Sequence, residues 1–303
     1  MQFEPLKEVT DFIQDTNRLT SSLKEDGYLF FRNFLDTEKI LEAKNDMMEV
    51  LCKHGIMEKN GNSEPIWKGV KPDKDTHQTV YTKISHLNSL EAITENKQII
   101  GIYERLFGGP VHIYPMPLPR FFPPDPYPNF RIGWHQDCFP WPDSTDLHTV
   151  WIPFMDMDES IGGLVMVKGS HIPDFTMNIY DYDPAKGVPG INGGKLTDMT
   201  KLRSDYQLGD LLIFGGKMIH RGLPNRSNEL RFSMDCRYQP KNAPMDWKAS
   251  FHDDDNKFYM EKVVRPAVAE AGLTGENAER ATWEIALANP VKDRIAEYVK
   301  NKN

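Results

Sequence analysis

Cysteine is nearly absent: 303 residues hold three, Cys52, Cys138 and Cys236. An odd count without a C-x-x-C pair excludes a disulfide framework and a thiolate zinc site, and reads as reduced thiols. Long apolar runs are lacking as well. No segment approaches the ~20 consecutive apolar residues of a membrane span. The opening MQFEPLKEVTDF has neither a basic stretch followed by an apolar one nor an Arg-rich, acid-poor transit character. No membrane association and a cytoplasmic location are therefore expected. A basic excess is also missing, with 36 Lys and Arg against 44 Asp and Glu and a net charge of −8. Nonspecific nucleic-acid affinity comes from Lys and Arg neutralising phosphates. No nucleic-acid partner is expected, and the partner class that remains is a small-molecule substrate; a homodimer stays open.

What is present suits one domain over residues 1–303, because all-β sandwiches and barrels commonly reach about 200–250 residues as one unit. Helical patterning dominates residues 1–110. Thr37 is placed to cap a helix over 38–51, where Ile40, Leu41, Ala43, Met47, Met48 and Leu51 recur at near-helical spacing. Ahead of it, the aromatic run Gly27-Tyr28-Leu29-Phe30-Phe31 suits a strand. Residues 55–80 read as a long loop, and 89–106 as one helix closed by Gly108-Gly109-Pro110. From 111 to 240 the texture becomes short apolar or alternating runs between turns, the pattern of an antiparallel sandwich or barrel. The proline-rich stretch 123–128 cannot be a central strand, since each proline removes a ladder donor. After Pro240 (residues 241–303), two further helices are expected at 258–271 and 278–299, packed outside the β core.

Trp134-His135-Gln136-Asp137 places an imidazole and a carboxylate two residues apart, on one face of a strand end. Spacing alone is weak: nine His and 25 Asp generate about 0.7 such pairs by chance, and His252-Asp253-Asp254 holds a second instance, in an acidic run where His252 and Asp253 are read as a solvated loop. Context separates them. A facial metal triad needs a second histidine from another strand and leaves three positions open. His220 supplies it, following a strand and glycine turn at 210–216 and standing eleven residues before Arg231. Arg231-Phe-Ser233-Met-Asp235-Cys-Arg237 alternates polar and apolar side chains with period two. Its polar face can offer the guanidinium of Arg231 to a carboxylate as a bidentate pair, with the Ser233 hydroxyl beside it.

With EDGYLFFRNFLDTEKI near the start, WHQD at 134–137, Trp151 in a strand, IGGLVMVKGSH at 161–171 and the His220…Arg231 pair, the chain resembles the phytanoyl-CoA dioxygenase family over about residues 22–240. The resemblance implies a mainly β fold with flanking α-helices, a double-stranded β-helix (jelly-roll, cupin-like) core, and an enzyme using Fe(2+), 2-oxoglutarate and O2. It implies His135, Asp137 and His220 as metal ligands, Arg231 and Ser233 on 2-oxoglutarate, Lys83 and Trp151 near it, and Gly222 beside His220. The family's usual proline before Gly-Ser-His is Lys168 here, so that turn is expected to differ, and His171 is read as structural. Family members that halogenate lack the carboxylate ligand. Asp137 is present, so hydroxylation or another oxidation is expected, with release of succinate and CO2.

Three protein donors leave three metal positions, two for a 2-oxoglutarate chelate and one for oxygen. The substrate pocket is expected from Phe121, Phe122 and Tyr127 before the ligands, Gln136 between them, and Phe139 and Trp141 after them. These aromatic side chains suit a small apolar molecule, such as a secondary metabolite. An acyl-CoA thioester is the alternative substrate. Two other classes are a metal-dependent isomerase or hydrolase, which would need no Arg231, and a non-catalytic metabolite-binding β-helix protein, which would not need a complete triad.

Overall fold

The computed structural model describes residues 3–59, 66–69, 72–114, 117–124, 133–137, 146–172, 180–183, 188–191 and 193–243. The two helices expected beyond Pro240 lie outside the described residues, as do Cys138 and His252-Asp253-Asp254. In chain order the elements are β1 (Phe3–Glu4), α1 (Thr16–Asp26), β2 (Tyr28–Phe31), α2 (Thr37–Lys53), β3 (Met57–Glu58), β4 (Ile66–Trp67), α3 (Lys74–Ser85), α4 (Asn88–Thr94) and α5 (Lys97–Phe107). There follow β5 (Val111–Ile113), β6 (Leu118–Phe122), β7 (His148–Pro153), β8 (Leu164–Val167), β9 (Tyr180–Asp183), β10 (Val188–Ile191), β11 (Lys201–Leu202), β12 (Leu211–Gly215), β13 (His220–Gly222) and β14 (Arg231–Pro240).

The helices begin where side chains replace missing backbone acceptors. Asp36, not Thr37, caps α2, its carboxylate accepting from the Glu38 amide at 3.0 Å. The single helix expected over 89–106 is two, because Asn96 interrupts it and caps α5 by accepting from the amides of Gln98 and Ile99. The expected loop at 55–80 contains the β3–β4 pair and most of α3, which Asp73 caps through the Thr76 amide. Among the described residues, no helix is long and apolar enough to cross a membrane.

Two sheets face one another. The larger runs β2-β12-β7-β14, with β5 and β6 both paired to the far side of β14, all antiparallel. The smaller runs β1-β11-β8-β13, antiparallel except where β1 joins β11. The core thus reaches outside 111–240: β1 and β2, from the N-terminal part, add a strand to each sheet.

Strand parity divides the burial. Leu29, Phe31, Val150, Ile152, Leu211, Ile213, Phe232, Met234 and Cys236 turn one face of the larger sheet toward Ile40, Met47, Leu51 and Leu90 of the helices. Their odd-step neighbours Tyr28, Phe30, Trp151, Leu212 and Phe214 turn the other way, onto Leu164, Met166 and Leu202 of the smaller sheet. This is a jelly roll with helices on one outer face. On β14 the inward parity belongs to Arg231, Ser233, Asp235 and Arg237, so the fold carries a row of polar side chains into the space between its sheets.

Candidate metal centre

His220 opens β13, whose other edge is taken by the WHQD segment: the backbone N–H of each histidine donates to the carbonyl of the other, at 3.1 and 3.0 Å. That pairing brings the two imidazoles to a 4.2 Å centroid separation and carries Asp137 in beside them. His135 Nε2 lies 3.7 Å from one Asp137 oxygen, and His220 Nε2 lies 3.8 Å from the other. One ligand atom from each of the three residues falls within 4.8 Å of the others.

Each imidazole is oriented by its own backbone. His135 Nδ1 meets the Gly133 carbonyl at 2.8 Å and His220 Nδ1 meets the Met218 carbonyl at 2.9 Å. A carbonyl only accepts, so both Nδ1 atoms carry the proton and both Nε2 lone pairs turn to the shared centre. Burial, with His135 close by, lowers the His220 pKa to about 4, which keeps its Nε2 lone pair available at neutral pH. Gln136, between the ligands, is buried and donates its amide to the Lys217 carbonyl, anchoring the segment.

Burial pushes the Asp137 carboxyl up, but the Arg237 guanidinium, the two histidines and the Thr149 hydroxyl outweigh it and hold the group well below the usual carboxylate range. Arg237 Nη2 forms an ion pair with Oδ1 at 3.0 Å, and the Thr149 hydroxyl donates to Oδ2. Two imidazoles and one carboxylate form the donor set of a facial triad with open positions, the preference of non-haem iron(II).

Arg231 fits the co-substrate. It is 4 % exposed, and its described acceptors are two backbone carbonyls, those of Leu223 at 2.7 Å and Ile161 at 3.3 Å. Nε is buried and has no hydrogen-bond partner among the described residues. Burial, and the neighbouring Arg120, lower its pKa to about 10. A desolvated cation with an open donor calls for an anion. Space for the fork is kept by glycines: a Cβ at Gly222 would come within 2.9 Å of Nη2, and one at Gly162 within 2.9 Å of Nη1. Gly222 stands two strand residues from His220, about 6.6 Å along β13, which places the guanidinium beside the triad. The Phe122 ring covers its other side, 4.7 Å from Cζ.

Ser233 is buried two residues along the same inward face, and Trp151 packs between the sheets, 4.6 Å from the Tyr206 ring. Two expected residues do not join the group. Lys83 is exposed and bonded to His54 Nε2 at 3.1 Å; it lies two residues, about 200° around α3, from Tyr81, which stacks on the His77 ring that meets Phe121 of β6. Phe121 has the outward parity of β6, packing into the helix-facing core against His77. Tyr127, Phe139 and Trp141 lie outside the described residues. His171 bonds the Lys24 carbonyl at the end of α1, a structural contact. Sequence reasoning assigned no role to Thr149, Arg120, Asp235 or Arg237. The alternation that singled out Arg231 and Ser233 extends to Asp235 and Arg237 on the same face, and was the available signal.

The phytanoyl-CoA dioxygenase (PhyH) family model matches residues 23–233. Two curated relatives carry the name 1-deoxypentalenic acid 11-beta-hydroxylase. That of Streptomyces arenae is 27 % identical over 88 % of this chain and 99 % of its own, and that of Streptomyces exfoliatus is 26 % identical over 86 % and 96 %. Among solved structures, the alpha-ketoglutarate-dependent carbocyclase SnoK from nogalamycin biosynthesis aligns with a TM-score of 0.55 at 19 % identity, covering 84 % of this chain and 94 % of its own. The epimerase SnoN, in complex with Fe3+, alpha-ketoglutarate and nogalamycin RO, aligns at 0.53 and 18 % identity, over 78 % and 88 %. The chain belongs to the phytanoyl-CoA dioxygenase family of non-haem iron, 2-oxoglutarate-dependent oxygenases.

Proposed function

We propose that His135, Asp137 and His220 hold Fe(2+), that Arg231 and Ser233 bind the distal carboxylate of 2-oxoglutarate, and that the enzyme hydroxylates an unactivated C–H bond of a small, largely apolar secondary metabolite. The observation that carries the reading is the combination of three converging ligand atoms with a buried arginine that has no anionic hydrogen-bond partner among the described residues and packs against Gly222, two residues along β13 from His220. Fe(2+) held by these three residues would supply, with 2-oxoglutarate and O2, the C–H oxidation, with succinate and CO2 as the products of the co-substrate.

The chain's own residues do the rest. The Gly133 and Met218 carbonyls fix the imidazoles, Arg237 and Thr149 fix the carboxylate, and Arg231 sets the direction from which the co-substrate reaches the centre. Trp151, Leu164, Met166, Phe214 and Tyr206 keep the adjoining interior apolar and dry. The relatives' substrate, 1-deoxypentalenic acid, supports a small-molecule substrate of metabolite size.

The test is an anaerobic titration with Fe(2+) and 2-oxoglutarate, followed by oxygen and a panel of apolar ring-containing acids and alcohols, reading succinate and oxygenated product. Succinate that rises with one panel member, with one oxygen atom in its product, supports the reading. Metal binding that survives His135→Ala with His220→Ala refutes it, as does activity that ignores omission of 2-oxoglutarate.

A further inference from the structure

The carboxylate ligand is held by a chain of alternating buried charges. Arg237 Nη2 is 3.0 Å from Asp137 Oδ1 and 3.7 Å from Asp235 Oδ2. Asp235 in turn accepts from Arg120 at Nε, 3.1 Å, and at Nη2, 2.5 Å. Asp235 and Arg237 are same-face neighbours on β14, and Arg120 pairs across the ladder with Ser233, so the three charges lie along one inward strip of the larger sheet. Asp137 is the nearest acceptor of Arg237, whose bond to the Cys236 carbonyl is long at 3.5 Å.

We infer that Arg237 is a positioning residue that reserves Asp137 Oδ1 and so makes the metal take this ligand through Oδ2 alone, with the Asp235–Arg120 pair fixing Arg237 in turn. The inference rests on the metal site proposed above. The two carboxylate oxygens are not equivalent: a full positive charge faces Oδ1, whereas a neutral hydroxyl, Thr149, faces Oδ2. A divalent cation at Oδ1 would lie against the guanidinium, and like charges repel most where water is excluded. Repulsion of this kind is absent at Oδ2. The consequence is coordination number. A carboxylate bound through both oxygens would occupy one of the three positions that 2-oxoglutarate and oxygen need, and Arg237 denies it.

The experiment uses Co(2+), whose visible absorption reports coordination geometry without turnover. It is titrated anaerobically into the full-length protein and into Arg237→Met, Arg237→Lys and Thr149→Val, with circular dichroism and thermal melts to establish folding. Arg237→Met is expected to weaken Co(2+) by about 10–100-fold, to shift its spectrum toward higher coordination, and to weaken 2-oxoglutarate binding to the Co(2+) form. Arg237→Lys, which keeps the charge, restores the spectrum in part. Thr149→Val changes affinity without the shift in geometry. A folded Arg237→Met with wild-type affinity and spectrum overturns the inference. Should that variant fail to fold, Asp235→Asn replaces it, loosening Arg237 without removing it, and a wild-type Co(2+) spectrum there overturns the inference equally. Failure of the wild-type protein itself to take up Co(2+) is a distinguishable result, and overturns the metal site instead.

Discussion

Gly222 and Arg231 are fitted to each other: a Cβ at residue 222 would stand 2.9 Å from Nη2 of the guanidinium. The backbone there is not in the left-handed region, so alanine adds a contact without adding backbone strain. Gly222→Ala should displace the fork and raise the Kd for 2-oxoglutarate by about 10–100-fold, the scale on which a small misplacement at a reactive centre is felt. Metal affinity in the absence of 2-oxoglutarate should not move. Calorimetry of Mn(2+) into the metal-free protein, and then of 2-oxoglutarate into the Mn(2+) protein, measures the two in turn, and an unchanged Kd for 2-oxoglutarate would remove Arg231 from the co-substrate site.

Arg231 itself separates binding from stability. Replacing it with methionine removes a buried cation whose described partners are two carbonyls, so the fold loses little and can gain. Loss of the carboxylate partner should cost about 2–5 kcal/mol of co-substrate binding, roughly 30–5,000-fold. Lysine should not restore it, being a point charge without the fork. A thermal melt beside a titration decides: a variant that loses more stability than binding would make Arg231 a structural residue.

The sequence carried the triad and the inward strip because both depend on strand parity, which survives without coordinates. Arg231 is readable from the period-two alternation of its own strand, whereas the His135 and Asp137 spacing is expected by chance and became legible through His220, eleven residues before Arg231. Helix boundaries were less legible, since Asp36 and Thr37 are both good caps and only geometry selects between them. The break at Asn96 was hidden by apolar residues that continue at helical spacing on either side of it. Phe121 and Phe122 could not be assigned to opposite faces until β6 was in register with β14. Lys83 was carried over by resemblance alone, and the face of α3 on which it lies decides its position. Nothing local to Thr149 announces its bond to Asp137, which joins strands through tertiary structure.

Three histidines set the acid limit of the metal-free protein. Burial lowers His112, with help from Lys241, and His148, and burial with His135 lowers His220, each to about 4. Unfolded histidine titrates near 6.5, so between these values the unfolded chain binds protons that the folded chain does not. Stability is therefore full above about pH 6.5 and falls as pH drops toward 4. Asp137, held far down, stays charged throughout this window. His148 has a buried Nδ1 without a partner among the described residues, and its ring lies against Tyr103 and Phe107. His148→Phe should reduce the loss between pH 7 and pH 5 by up to about 2 kcal/mol. Urea denaturation of chelator-treated protein across this range tests it; identical slopes for the two proteins would exclude His148 as a contributor.

Phe121 and Phe122, adjacent in sequence, should answer substitution in opposite ways. Phe121 is 5 % exposed in the helix-facing core, against His77, so Phe121→Ala leaves a cavity and should cost about 3–5 kcal/mol of stability. Its effect on 2-oxoglutarate affinity, measured well below the melting temperature, should be within about twofold, because its ring packs on the helix-facing side of the sheet and Arg231 on the other. Phe122 lies over the Arg231 guanidinium at 4.7 Å and is only half-buried. Phe122→Ala removes a smaller buried area but opens one face of the guanidinium to water. Solvent then competes for a cation that was held dry, and the ring's own attraction, about 0.5–2 kcal/mol for such pairs, is lost. The 2-oxoglutarate Kd should rise by roughly 2–30-fold while the melting temperature changes less than in Phe121→Ala. If the two variants exchange these behaviours, the register of β6 against β14 is wrong by one residue, since a one-residue slip would turn each ring to the other face.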